Sequence, residues 1–270
     1  MFADMRTYTF AIAGCGKLAH LIVDALLKGL LPQYQLIASY SRTFDKAQQI
    51  ADKVDPKKEG YACKACRSFD ELLQLQPDYI VEAASPSAFK EWALPALSQG
   101  ASLITLSIGA LADADFYKRV MQAASDNNAR VHLASGAIGG FDVLRTVSLM
   151  EQSEVTFTTQ KSPHSLKGTS VYNDALQSEQ SEVFAGNASE AIALFPTRVN
   201  VAVAAALASV GPENLKVSIN SIPDFVGDDH RIELKSEQVH AVVDIYSKTS
   251  QIAGWSVVNT MRNIVSPIVF

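Results

Sequence analysis

Cysteine is scarce, with three in 270 residues, and an odd count in a chain this long makes no disulfide framework. Glycine (14) and proline (10) are too few for collagen-like or low-complexity sequence. Positive charge is not in excess: 23 Lys and Arg against 28 Asp and Glu leave a net charge of −5. No Lys/Arg cluster of nucleic-acid type is present, which argues against a phosphate-backbone partner. Long apolar runs are missing too. Val199 to Val210 is too short to span a bilayer and predicts a buried helix. Asp4 and Arg6 precede a short apolar strand without the basic region, long apolar stretch and cleavage site of a signal peptide. A soluble, cytoplasmic protein is expected, with no membrane contact. What the chain does have is apolar content, 48% with a mean hydropathy of +0.08. That suffices for a full core, and the length permits one large domain or two ordinary ones.

The first half alternates in type. Strands are predicted at Tyr8–Ala13, Leu36–Ser41, Asp78–Ala84, Ser102–Ser107 and Arg130–Ala134. Helices are predicted between them, at about Lys17–Gly29, Asp45–Lys53, Ala88–Gln99 and Phe116–Asn127. Strands separated by helices of this length mean a parallel sheet covered on both faces. After Ser135 the rhythm changes. A helix at Gly140–Met150 is followed by extended segments at Val155–Gln160, Leu215–Ile222, His230–Leu234 and Val239–Tyr246. Ala188–Ser209 is helical with a break at Pro196, which suits the first position of a second helix. The expected class is α/β: a dinucleotide-binding domain over 1–135 and an α+β domain with a mixed or antiparallel sheet over 136–247. A C-terminal helix over 248–270 returns to the first domain.

Gly14-Cys15-Gly16-Lys17-Leu18-Ala19 fits G-x-G-x-x-G/A between a strand and a helix. Gly14 allows the tight turn and Gly16 a close approach of pyrophosphate to the backbone. Ala19 permits close helix–strand packing, and the helix N-terminus offers N–H groups and positive dipole. The position about twenty residues on, where an acidic residue would hold the ribose 2′-OH, is Ser41, followed by Arg42. Without a carboxylate a 2′-phosphate is not repelled, and Arg42 can pair with it. NADP is favoured over NAD, or both are used. Ser135–Gly140 follows a parallel strand at the carboxyl edge of the sheet. Its glycines, Gly139 among them, allow backbone to approach nicotinamide or a small carboxylate. Cys63 and Cys66 form a C-x-x-C in a Lys-rich connecting segment, without further ligands for a metal, and are expected to be structural.

Ser135–Asp142 (SGAIGGFD), Phe195–Ala208 (FPTRVNVAVAAALA), the lone histidine of Asp228–Leu234 (DDHRIEL) and Ser247–Ser250 (SKTS) occur in that order before a terminal helix. Together they resemble L-aspartate dehydrogenases, and Glu82–Ser85 and Leu106–Leu111 match that family's sheet. The resemblance implies a Rossmann domain with an α+β domain used in dimerisation. It also implies NAD(P)-dependent interconversion of L-aspartate and iminosuccinate, the latter hydrolysing to oxaloacetate and ammonia. Ala84, Ala137 and Asn200 would contact the cofactor, and His230 would be the active-site histidine. The chain departs from the family at Ser41, where an aspartate is usual, and at Asp228-Asp229, where an asparagine is common. An extra carboxylate there would repel a dicarboxylate or raise the imidazole pKa.

His230 follows a glycine-containing polar loop and opens a predicted strand, so it is expected exposed in a cleft and titrating near neutrality. Lys161, ending one predicted strand, and Lys248, opening the last helix, are candidate partners of substrate carboxylates. Gly139 is a third candidate for substrate contact. The competing readings are another oxidoreductase of this build and a protein that binds NADP without turnover. Sugar dehydrogenases of this build carry E-K-P where Thr105-Leu106-Ser107 stands. Apolar residues on the far side of the second sheet, Val217, Ile219, Val242 and Ile245, predict a homodimer or larger assembly through that face.

Overall fold

The computed structural model describes residues 6–54, 62–196 and 199–269. The chain divides into two compact units, one of Met1–Ala134 with Ala253–Phe270 and one of Ser135–Ile252.

In the first unit the chain runs β1 (Tyr8–Ala13), α1 (Lys17–Leu27), β2 (Tyr34–Tyr40), α2 (Phe44–Val54), β3 (Lys64–Cys66) and α3 (Phe69–Leu73). It continues through β4 (Tyr79–Glu82), α4 (Pro86–Ser98), β5 (Ser102–Thr105), α5 (Ala114–Asp126) and β6 (Val131–Leu133). All six strands are parallel, in the order β3-β2-β1-β4-β5-β6. Local chemistry sets the helix starts. Ser68, Ser85 and Asp113 each accept the backbone N–H three residues on, and Pro86 occupies the first turn of α4. Phe10, Ile12, Ile22, Leu36, Val81 and Ile104 form the core, joined by Val257, Val258 and Met261 of the terminal helix. Tyr34 Oη donates to the Met261 carbonyl at 2.8 Å, so that helix is tied by a buried hydrogen bond as well as by burial. This is a Rossmann fold, and β1 and β4 flank the point where strand order reverses, outside whose carboxyl ends ligands bind. The segment holding Cys63 and Cys66 is not a plain connection: Lys64–Cys66 pairs with β2 at the sheet edge, and Cys66 is fully buried. Burial pushes the Cys66 thiol up to about 11, the reverse of a reactive thiolate.

The second unit contains α6 (Phe141–Met150), β7 (Glu154–Lys161), α7 (Pro163–Leu166), β8 (Ser181–Asn187), α8 (Ala188–Leu194) and α9 (Asn200–Leu207). After them come β9 (Lys216–Ser221), β10 (Asp228–Lys235) and β11 (His240–Ser247), before α10 (Gln251–Val265). The sheet order is β11-β10-β7-β9-β8, antiparallel except for β7 beside β9. Pro196 does not open a helix. It lies between α8 and α9 because the residue before a proline avoids the helical region, and Phe195 (φ −128, ψ 65) ends α8 there. Thr197 and Arg198 of the same motif lie outside the described residues.

Strand alternation decides which sheet face is covered. Val155, Phe157, Val217, Ile219, Ile232 and Leu234 are buried in one cluster with the alanines of α8 and α9. The face expected to be apolar and open is therefore corrected. Val217 and Ile219 belong to the core, and Ile245 pairs with buried His230, so it shares the covered face. Of the four residues only Val242 is exposed, and its neighbours on that side include Thr156, Thr158, Gln160, Arg231, Glu233 and Asp244. Among the described residues no helix is long and apolar enough to cross a membrane.

Candidate active site

One candidate site is the turn after β1. Gly14 has φ +99, and a Cβ on it would lie 2.7 Å from the Ala83 carbonyl carbon and 2.8 Å from Ala84 Cβ. Conformation and space both demand glycine here. Gly16 caps α1, no side chain caps that helix end, and nothing lies within 4 Å of the position a Cβ would take. The first-turn N–H groups, uncapped by any side chain, suit a phosphate, and Gly16 leaves room for its approach. Ala19 is fully buried at the helix–sheet contact. The Tyr40 carbonyl accepts the Gly14 N–H at 2.8 Å and the Cys15 thiol at 3.3 Å, which brings the end of β2 to the turn. Ser41, half-buried, and Arg42, exposed, follow directly. Glycine turn, Ala84 and Ser41 thus converge, and this cradle fits a dinucleotide. Burial pushes the Cys15 thiol up to about 12, so it takes no part as a thiolate.

The sequence marks Glu82 only as part of a strand. It is 1% exposed at the end of β4. Its carboxylate accepts from Ala84 N (2.8 Å), Ser85 N (3.0 Å), Thr105 Oγ1 (2.6 Å) and Ser107 Oγ (3.0 Å). Burial raises its pKa against those hydrogen bonds. The group fastens the turn that meets Gly14 to the end of β5.

A second candidate site, in the other unit, lies on the covered face of the second sheet. Asp228, His230 and Ile232 alternate onto one side of β10, where Asp228 pairs with Lys161 and His230 with Thr159 of β7. Lys161 Nζ meets Asp228 Oδ1 at 2.6 Å, with the lysine side chain 10% exposed and the aspartate 36%. His230 is buried, not exposed, and its ring stacks on Phe157 at 5.7 Å. Its pKa is moved opposite to expectation. Burial and the Lys161 charge outweigh Asp228 and push the imidazole from 6.5 down to about 4. Asp229 alternates to the other face, where burial and then Asp244 raise its carboxyl. It is therefore Asp228, not Asp229, that acts on the histidine.

Three buried polar atoms on this face have no hydrogen-bond partner: His230 Nδ1, Thr159 Oγ1 and Ser221 Oγ. Ser221 stands opposite Lys161 in β9. Buried polar atoms are nearly always satisfied, so orphans grouped beside a buried lysine mark a place for a polar ligand. The alternation of Asp-Asp-His-Arg-Ile was the available signal for Asp228. Thr159 and Ser221 carried none, because only cross-strand register puts them there. Lys248 is exposed just past β11, and Gly227 (φ +92) lies against its Cα and the Ser247 carbonyl, so it runs close to the Asp228 end of the sheet.

The other expected residues sit on separate elements. Ala137 and Gly139 are half-buried in the Ser135–Gly140 loop. That loop is pinned at Gly140 (φ +75), where a Cβ would fall 2.5 Å from Val243 Cγ2. Asn200 opens α9 and is half-buried.

Residues 142–264 match the family model described as aspartate dehydrogenase, C-terminal, and residues 14–134 that described as homoserine dehydrogenase, NAD binding domain. The L-aspartate dehydrogenase of Methanococcus maripaludis strain C6 is 33% identical over 95% of this chain and 97% of its own. That of Methanocaldococcus jannaschii is 30% identical with the same coverage. The crystal structure of aspartate dehydrogenase from Thermotoga maritima is similar with a TM-score of 0.74 and 28% identity, over 98% of this chain and 100% of that one. Matches that run from the glycine turn to the last helix, and span the relatives almost end to end, place this chain in the aspartate dehydrogenase family.

Proposed function

We propose that this protein oxidises L-aspartate to iminosuccinate with NADP or NAD, or runs the reverse reductive amination. The observation that carries the reading is buried His230 on the same sheet face as the Lys161–Asp228 ion pair, with unsatisfied polar atoms around them, in a chain of this family. When bound, the nicotinamide supplies the hydride acceptor or donor. The chain's own residues do the rest. Gly14, Gly16 and Ala19 shape the seat for the pyrophosphate, with Ala84, Ala137 and Asn200 at the cofactor. Lys161 supplies a desolvated cation for a substrate carboxylate, where pairing is stronger than in water, and Gly139 and Lys248 are further contacts. Burial keeps the His230 imidazole neutral at pH 7, the protonation state needed to take up the proton that the substrate ammonium must lose. In the reverse direction it returns that proton to the imine nitrogen.

Cofactor choice rests on Ser41 and Arg42. Oxidation of L-aspartate assayed with both cofactors tests the whole reading, and absence of turnover with either refutes it. Ser41→Asp adds an acceptor for the 2′-OH and a charge against a 2′-phosphate. It is expected to shift the kcat/KM ratio toward NAD by about tenfold. An unchanged ratio would remove Ser41 from the ribose.

We further infer a homo-oligomer joined through the open face of the second sheet. Its support is the exposed Val242 and Tyr246 of β11 on the same face as the Arg231–Asp244 ion pair (3.0 Å), a mixed apolar and charged surface suited to a partner. Light scattering at micromolar concentration is expected to give at least twice the 29.1 kDa chain mass. A cytoplasmic location is inferred from Cys15 and Cys66, both buried as free thiols.

A further inference from the structure

Lys161 is the only lysine or arginine among the buried residues described, and its ion-pair partner belongs to the same sheet face as His230. The two partners differ in freedom. The Lys161 side chain is 10% exposed and held within the sheet, whereas Asp228 is 36% exposed at the first residue of β10. Asp228 follows Gly227, a left-handed glycine packed on the backbone of Ser247 and Lys248. A fixed buried cation paired with a half-exposed carboxylate is an exchangeable arrangement. Asp228 recovers hydration by turning outward, while Lys161 has none to recover and needs an anion. Beside the lysine stand Thr159 and Ser221, whose hydroxyls are buried without partners, and the unpartnered Nδ1 of His230. Asp228 leaves all three unsatisfied.

We infer that Asp228 is an internal stand-in for a substrate carboxylate: it holds Lys161 in the free enzyme, gives way when a carboxylate substrate enters, and thereby sets the affinity for that substrate. The inference rests on the aspartate reading above for the identity of the substrate, but not for the exchange itself. The exchange is non-covalent, one carboxylate replacing another on the ammonium while the three orphan groups gain a ligand. Displacing Asp228 costs the substrate part of its binding energy, so its affinity is lower than an uncommitted lysine would give.

The test uses the full-length protein with Asp228→Asn, which keeps shape and removes charge, and Asp228→Glu, which keeps charge. The readouts are KM for L-aspartate and the dissociation constant of succinate, a dicarboxylate that carries no amine to oxidise. In Asp228→Asn both constants are expected to fall by about tenfold, the scale of one charge-assisted hydrogen bond no longer contested by a competing carboxylate. Asp228→Glu stays near wild type. NMR titration of His230 supplies a reading independent of activity. The charged groups facing it are Lys161 from β7 and Asp228 from its own strand. Its neighbours in register, Thr159 on β7 and Ile245 on β11, are uncharged, while Asp229, Arg231 and Asp244 lie on the opposite face. Removing the Asp228 charge leaves Lys161 uncompensated, so the imidazole pKa drops below its wild-type value in Asp228→Asn. Constants within about twofold of wild type in Asp228→Asn, the same fall in Asp228→Glu, or an unmoved His230 would each overturn the proposal. If no variant oxidises L-aspartate yet succinate binds Asp228→Asn more tightly, the exchange stands and the aspartate reading falls.

Discussion

His230→Ala is expected to lower kcat by about 10²–10⁴, the range for a lost general acid–base, with little change in cofactor affinity. On the proposed mechanism the loss falls on chemistry, because the substrate ammonium must be deprotonated before hydride leaves and the buried, neutral imidazole on the Lys161 face is the base assigned to it. Cofactor affinity is spared because the glycine turn belongs to the other compact unit. Equal loss of cofactor binding and turnover would make His230 structural. The same residue sets a pH dependence. With its pKa near 4, the base form persists down through mildly acidic pH, so kcat/KM of wild type falls only as pH approaches 4 on the acid side. Stability follows the same group. Its folded pKa lies below the ordinary 6.5, so the unfolded chain binds the extra proton between those values. Its contribution to stability is complete above pH 6.5 and is lost as pH falls toward 4. Thermal melts of wild type and His230→Ala across that window are expected to converge at the acid end. Parallel curves would contradict the low pKa.

Gly14→Ala is expected to cripple the glycine turn of the first unit. An alanine at φ +99 costs about 1–3 kcal/mol of backbone strain. Its methyl would also be driven against the Ala83 carbonyl carbon at 2.7 Å, a backbone atom that cannot step aside cheaply. The outcome is a turn displaced from Ala84 and from the Tyr40 carbonyl, with KM for both cofactors raised about tenfold or more and a lower Tm without cofactor. Gly29→Ala is the matching control. It too has a left-handed φ (+75), but nothing lies within 4 Å of the new Cβ. It is expected to cost about 1–2 kcal/mol of stability, with KM unmoved. Equal KM values for the two variants would show that the close approach to Ala83 and Ala84 plays no part in binding.

Most of the first unit was legible because its information is local. Tyr8–Ala13 reads as a buried strand from its own residues, and Gly14 and Gly16 announce a turn wherever a strand precedes and a helix follows. Elements with weak local patterns escaped. Lys64–Cys66 is a three-residue edge strand held by β2, and Ser181–Asn187 is mostly half-buried without clean alternation. Pairing, not propensity, makes these strands.

The site divides along the same line. His230, Lys161 and Ser41 stand out as residue types in context, since chemistry at neutral pH, a cation after a strand and a missing carboxylate are each written in a few neighbouring letters. Their environment is not. Lys161 and Asp228 meet across 67 positions of sequence, and the register of β7 with β10 puts both on the histidine's face while turning Asp229 away. A slip of one residue would exchange Asp228 for Asp229 and bring Val242 and Asp244 to the face that now holds Val243 and Ile245. The imidazole pKa follows from that register too. Desolvation depends on what packs around a group in three dimensions, so a histidine that its neighbours in sequence mark as exposed and near neutral is, in the folded sheet, buried on Phe157 and held near 4.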